Sequence, residues 1–328
     1  MSERTDAIVK QHNEYCGVSE WHSKGFKGQG ITVWNCEKRT DDHGSQSAQR
    51  VLDSAPECNL ITGTVSMRSN VTAVTMCEVV DENRCHHDIH EWIQKNNVRI
   101  ITASLKDLFE DNDESRGKFW QDIVEQYGIV LINSAGNDGN KNFDFSKRVA
   151  WHIGALTLTD GKPKRAGYSS TGEGLDFADL AGWNAGTSFS APYFAGKCAL
   201  VLQRFPEFTP QDVYEYMKKC SMDLYTEGED NLTGWGFPIL PVIEDIPKEG
   251  EKEEIPMGDI TKKTKFEDVP AGVWYEEVLA FDVEKGLLKG ITETKFDPDG
   301  VLTRAQLAQA LYNVYHVVYK DLKKELGK

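Results

Sequence analysis

Gly186-Thr187-Ser188-Phe189-Ser190-Ala191-Pro192, with the apolar run of residues 193–202 behind it, is the stretch on which the reading of this chain turns. A turn of small residues feeding a helix presents a serine hydroxyl at the helix N-terminus, where free N–H groups and the macrodipole favour a developing anion. Serine needs a base to take its proton, and an imidazole titrating near neutrality is the usual one. Of 8 histidines, His43 stands apart, because Asp42-His43-Gly44-Ser45 marks the predicted start of a helix soon after a strand. A third group must orient that imidazole, which calls for a carboxylate at a strand end. Glu37 closes Ile31-Thr32-Val33-Trp34-Asn35-Cys36-Glu37 and meets that need. Further along, Leu131-Ile132-Asn133-Ser134-Ala135-Gly136-Asn137-Asp138-Gly139 runs from an apolar strand into a tight glycine turn, where an amide side chain can face an oxyanion. Each has a plainer but weaker reading, Ser188 as a helix cap, Asn137 as a turn residue and His43 as a surface histidine; the residues and their flanking sequences point to acyl transfer.

Outward from these motifs, glycine-punctuated apolar runs alternate with helix-like segments over the first 240 residues. That rhythm predicts an α/β domain, a parallel sheet covered by helices on both faces. Strands are predicted at residues 31–36, 59–65, 100–105, 129–134 and 152–156, with helices at 86–97 and 118–127. Composition changes after Pro241, where a charged, proline-containing segment has little to bury. The predicted organisation is a catalytic domain over 1–242, a linker over 243–264 and a small module over 265–328.

The pieces acid, His, Asn and Ser, in that chain order, resemble the subtilase family of serine peptidases. Gly186 to Pro192 matches the family's Gly-Thr-Ser-x-x-x-Pro, and Ala135 to Gly139 its Ala-Gly-Asn-x-Gly. Ile101-Thr102-Ala103-Ser104-Leu105 is similar to its substrate-binding strand. The resemblance implies a doubly wound, mainly parallel sheet and endopeptidase activity on extended polypeptides. By that similarity Ser188 attacks, His43 shuttles the proton, and Asn137 with the Ser188 amide holds the oxyanion. Backbone at Ser104 and Leu105 pairs with substrate, and Gly136 walls the adjoining pocket. The family has aspartate at the acid position. An ungapped count from Gly28-Gln29-Gly30 places Glu37 there, whereas a slip of one or two residues places Cys36 or Asn35. Glutamate fills this role in other Ser-His-acid hydrolases; Asp41 and Asp42 are further acids, read as helix caps. Lys106 follows the substrate strand, and a cation there favours acidic substrate residues.

Phe266-Glu267-Asp268-Val269-Pro270, Trp274-Tyr275, Phe296-Asp297-Pro298-Asp299-Gly300 and Thr303-Arg304-Ala305-Gln306 resemble one S-layer-homology repeat, a small helical module. The family binds cell-wall polysaccharide, generally through three repeats acting together; Gln306 stands where its motif has glutamate. Arg304 is the residue suited to a sugar carboxylate.

Charge and composition narrow the partners. A net charge of -15 repels nucleic-acid backbones and anionic membrane surfaces, and no run approaches a membrane span. Cys85, His86, His87 and His90 crowd one segment, but their spacing matches no recurrent zinc site and reads as a polar helix surface, so neither metal nor cofactor is expected. The opening MSERTDAIVKQHNEYCG is charged where a secretory signal needs an apolar stretch, and the cysteines lack a disulfide scaffold's spacing. Synthesis for the cytoplasm and a wall-binding module conflict; release by lysis or through a phage-type pore reconciles them. Beside an active peptidase stands a second reading, a catalytically impaired subtilase fold acting as a scaffold at the wall. A wall-glycan hydrolase lacks the pair of carboxylates it requires.

Overall fold

The computed structural model describes residues 3–39, 42–69, 74–104, 108–109, 114–146, 148–183, 185–243, 265–269, 279–280, 283, 287–298, 300 and 312. Asp41, Leu105, Lys106, Trp274, Tyr275 and the segment Thr303 to Gln306 lie outside them. The chain divides into two compact units, Met1–Glu244 and Asp245–Lys328.

In the first unit the helices are α1 (Glu3–Tyr15), α2 (Val18–Ser23), α3 (Asp42–Ser54), α4 (Ile89–Asn96), α5 (Glu114–Tyr127), α6 (Thr187–Arg204) and α7 (Pro210–Lys219). The strands are β1 (Thr32–Asn35), β2 (Asn59–Thr62), β3 (Thr64–Ser69), β4 (Val74–Val80), β5 (His86–Asp88), β6 (Val98–Ala103) and β7 (Val130–Ser134). They continue with β8 (Asn142–Asp144), β9 (Trp151–Thr159), β10 (Lys162–Arg165), β11 (Thr171–Glu173), β12 (Phe177–Leu180), β13 (Ser221–Met222) and β14 (Phe237–Pro238).

The central sheet runs β10-β9-β7-β6-β1-β2, with β12 also on β9. Its pairings are parallel except that of β10 with β9. Strands buried on both faces read as near-continuous apolar runs, and successive side chains go to opposite sides. Val33, Ile100, Val130 and Ile132 join one core with α6; Trp34, Ile101 and Leu131 join another with Ile89 and Ile93 of α4 and Trp120 and Ile123 of α5. This is the predicted α/β architecture with helices on both faces. Because β2 and β6 flank β1, the chain reverses its direction of winding at β1. Open α/β sheets bind ligands at such a point, beyond the carboxyl ends of the strands.

Two local expectations are corrected. Residues 59–65 do not form one strand: β2 stays in the central sheet while β3 turns into a separate antiparallel sheet with β4 and β5. The break falls at Gly63, whose carbonyl accepts the Trp34 indole N–H at 3.0 Å and where a Cβ would stand 3.0 Å from Val79. Nor is 86–97 one helix. His86–Asp88 is strand β5, and α4 begins only after Asp88, whose carboxylate caps the N–H groups of His90 (2.9 Å) and Glu91 (3.1 Å). His86 and His90 therefore share no helical face; His86 pairs with Glu78, His87 with Asp81, and His90 with the Tyr127 hydroxyl.

Helix α6 is buried from Thr187 to Leu202, as expected of a helix apolar on every side. It packs closely on α3 at Gly196, where a Cβ would lie 2.0 Å from Ser54 Oγ and 2.7 Å from the Val51 carbonyl oxygen. Arg50 of α3 crosses the same interface fully buried, donating to Asp53 Oδ2 (2.7 Å) and to the Leu180 carbonyl (2.9 Å). These contacts fix α3, and with it His43, against the helix that carries Ser188.

In the second unit, Phe266, Val269 and Leu279 form a small core with Val283, Leu288 and Phe296. The Asp268 carboxylate accepts the backbone N–H groups of Phe296 (2.9 Å) and Asp297 (2.7 Å). Those bonds to its charged form hold its pKa below the ordinary carboxylate value.

Candidate active site

Glu37 follows β1 at the carboxyl edge of the sheet and is 5% exposed. Its Oε2 lies 2.6 Å from Nδ1 of His43, in the first turn of α3. A carboxylate at that distance holds the proton on Nδ1 and leaves Nε2 with its lone pair, the tautomer a general base requires. The two slipped alternatives are placed elsewhere. Cys36 is buried in the core beneath α4 and α5, and burial with the neighbouring Glu37 charge pushes its thiol pKa well up. The Asn35 Oδ1 accepts from Ser47 at 3.2 Å.

Ser188 is the second residue of α6, after Gly186, whose φ of 141° is a conformation open chiefly to glycine. Pro192 lies four residues beyond Ser188 inside the helix. Having no N–H, it leaves the Ser188 carbonyl without its intrahelical donor. The Ser104 hydroxyl takes that place, donating to the Ser188 carbonyl at 2.9 Å. The end of the predicted substrate strand is thereby tied to Ser188 itself.

Asn137 sits in the glycine turn after β7, with Gly136 at φ 96° and Gly139 at φ 67°. Its Oδ1 accepts the Thr187 backbone N–H (2.9 Å) and faces the Thr187 hydroxyl at 3.2 Å. A backbone N–H only donates, so the atom facing Thr187 is the amide oxygen and Nδ2 faces away. The Thr187 hydroxyl also accepts from Gly136 N at 3.0 Å, which locks the turn onto the start of α6.

Ser104, Gly136, Asn137 and Ser188 line one cavity of about 140 Å³, together with Phe143, Phe145 and Arg148. No hydrogen bond joins His43 to Ser188 Oγ among the described residues. The His43 ring rests 5.5 Å, centroid to centroid, from Phe189, the residue after the serine, and its side chain is 48% exposed.

Residues 30–236 match the model of the subtilase family. The chain belongs to the subtilase family. In this subtilase, residues 265–308 also match the S-layer homology domain. The minor extracellular protease Epr of Bacillus subtilis (strain 168) is 29% identical over 164 residues, covering 45% of this chain and 24% of Epr. Subtilisin BL of Lederbergia lenta is 30% identical over 163 residues, covering 45% of this chain and 56% of its own. The match thus spans less than two thirds of these relatives. Among solved structures, MycP1 with its N-terminal propeptide removed has a TM-score of 0.52 at 18% identity, covering 72% of this chain and 98% of that one. A lanthipeptide protease has 0.51 at 14%, covering 71% and 92%. At these identities the likeness concerns the fold.

Sequence reasoning passed over three contributors to this subtilase's site. Thr187 orients Asn137, Pro192 frees the Ser188 carbonyl for Ser104, and Arg148 lines the cavity. The first two lie inside the very heptapeptide that decided the fold. For the third, the signal is a basic residue just beyond the aromatic pair Phe143 and Phe145.

Proposed function

We propose that this subtilase is a serine endopeptidase that cleaves extended polypeptides through an acyl-enzyme, with Glu37, His43 and Ser188 as its triad. The observation that carries the reading is the 2.6 Å contact between Glu37 Oε2 and His43 Nδ1, on a helix packed against the one that presents Ser188. Ser188 Oγ attacks the scissile carbonyl while His43 Nε2 accepts its proton. The resulting imidazolium is stabilised by the Glu37 carboxylate. The oxyanion is held by Asn137 Nδ2, turned away from Thr187, and by the Ser188 N–H at the start of α6. His43 then returns the proton to the leaving amine, and water repeats the sequence to release the acyl group.

Substrate lies as an added strand along the backbone at Ser104 and Leu105, with Gly136 walling the pocket beside it. The C-terminal S-layer-homology module holds the enzyme at cell-wall polysaccharide, and no nucleic-acid, metal or cofactor role is assigned. One observation favours a catalytically impaired scaffold instead: His43 and Ser188 share no hydrogen bond, although such bonds often tighten only with substrate bound.

The test is cleavage of an internally quenched extended peptide by the full chain. Turnover that disappears in Ser188→Ala supports the peptidase. No turnover by a folded wild-type chain supports the scaffold.

A further inference from the structure

The Arg50 side chain lies wholly inside the crossing of α3 and α6. Besides its bonds to Asp53 Oδ2 (2.7 Å) and to the Leu180 carbonyl (2.9 Å), its Nε points at the Phe189 carbonyl oxygen, 3.4 Å away. Its Cζ stands 4.3 Å from the centre of the Tyr193 ring and 5.3 Å from that of Trp183. At Gly182, where φ is 89°, a Cβ would come within 2.8 Å of the same Cζ. One planar fork thus touches the chain on both sides of the turn that presents Ser188. Leu180, Gly182 and Trp183 precede that turn, and Phe189 and Tyr193 follow it.

Arg50 stands seven residues after His43 on α3. Seven residues are two helical turns, so both side chains leave one face of the helix, about 10 Å apart along its axis. They meet at the same residue. The His43 ring rests 5.5 Å from the Phe189 ring, while Arg50 faces the Phe189 carbonyl. Phe189 directly follows Ser188, so the fork that grips Phe189 also sets how the serine stands to the imidazole. Asp53 supplies the buried counter-charge. Replacing such an ion pair by apolar side chains of similar volume often costs no stability. What an apolar side chain lacks is the set of directed contacts to Leu180 and Phe189.

We propose that Arg50 is a positioning residue of the reaction: by holding Leu180 and Phe189 against α3, it sets the approach of His43 Nε2 to Ser188 Oγ. The inference rests on the peptidase reading and deepens it. Arg50 touches neither substrate nor the reacting atoms; it acts through Phe189 and through the chain that leads into the nucleophile turn.

The experiment compares two variants of the full chain with the wild type. Arg50→Lys keeps the charge beside Asp53, but one ammonium cannot reproduce the fork. Arg50→Met combined with Asp53→Leu removes both charges and keeps the volume. Each is assayed on an internally quenched extended peptide, with kcat expressed per site titrated by a fluorophosphonate, and with the low-field proton NMR signal of His43 Nδ1–H recorded. A misplacement of about 1 Å costs up to about 100-fold, so kcat is expected to fall roughly 10- to 100-fold with KM little changed, least in Arg50→Lys. The Nδ1 signal persists, because the contact between Glu37 and His43 does not run through Arg50. A merely structural role lowers the urea midpoint and leaves kcat per titrated site as in the wild type; that result overturns the inference. Loss of kcat together with the Nδ1 signal places the defect at Glu37 and overturns it too. If Arg50→Lys does not fold, the double variant decides, and unfolding of both makes Arg50 a residue of the core alone, again overturning the inference. A folded wild-type chain with neither turnover nor labelling of Ser188 overturns the peptidase reading as well; an active wild type with unimpaired variants overturns only the role of Arg50.

Discussion

Replacing Glu37 by glutamine removes the charge behind His43 while leaving the side chain's shape. Two unit charges about 4 Å apart at an effective dielectric near 20 interact by roughly 4 kcal/mol. His43 is 48% exposed, and solvent screening brings the loss of imidazolium stabilisation to about 2 to 4 kcal/mol. At 1.36 kcal/mol per tenfold, that alone slows the chemical step by about 30- to 1000-fold. Glutamine also offers Nδ1 an amide N–H, and if it does so the ring's proton moves to Nε2 and the base is lost. Both effects together bring the expected fall in kcat to about 10³ to 10⁴, with KM little changed. Glu37→Asp keeps the charge but shortens the reach from the 2.6 Å contact, and lies between the two. Steady-state kinetics on one quenched peptide, with circular dichroism to confirm folding, makes the comparison. A loss of less than tenfold in Glu37→Gln would refute Glu37 as the triad acid.

Asn137→Leu removes the proposed side-chain oxyanion donor and is expected to lower kcat by about 10² to 10³ at nearly constant KM, measured on the same peptide. Gly196→Ala places a methyl 2.0 Å from Ser54 Oγ at the crossing of α3 and α6, and should cost about 1 to 3 kcal/mol in urea unfolding. Stability should also depend on pH in opposite senses on the two sides. Burial raises the Asp176 pKa to about 7, so its contribution is full below the unfolded carboxylate value and is lost as pH climbs towards 7. Burial lowers His12 and His152 to about 3, so their contribution is lost as pH falls from the ordinary imidazole value of 6.5 towards 3. Urea midpoints across pH 4 to 8 check both limbs, and Asp176→Asn should flatten the alkaline one.

The fold was legible because its signals are local. The heptapeptide from Gly186 to Pro192 and the turn at Gly136 to Gly139 each carry a backbone requirement in a few adjacent residues. The contact between Glu37 and His43 was legible for a similar reason, the two standing six apart across one strand-to-helix connection. What escaped was set by distant partners. The strand at residue 59 ends at Gly63 because Trp34 and Val79 close around it. The segment from His86 begins as a strand because β4 offers an edge, His86 pairing with Val80, whereas its own periodicity suits a helix. Ser104 was read as backbone for substrate, and its hydroxyl's bond to Ser188 spans 84 residues. Arg148 reaches the cavity only once β7 and β9 are neighbours in the sheet.

The most direct measurement is mass-spectrometric mapping of a fluorophosphonate adduct on the full chain. A hydroxyl made nucleophilic by a neighbouring imidazole predicts one adduct per chain, on Ser188, with labelling that slows sharply in His43→Ala and Glu37→Gln. A folded protein that stays unmodified, or is modified at another residue, would contradict the account.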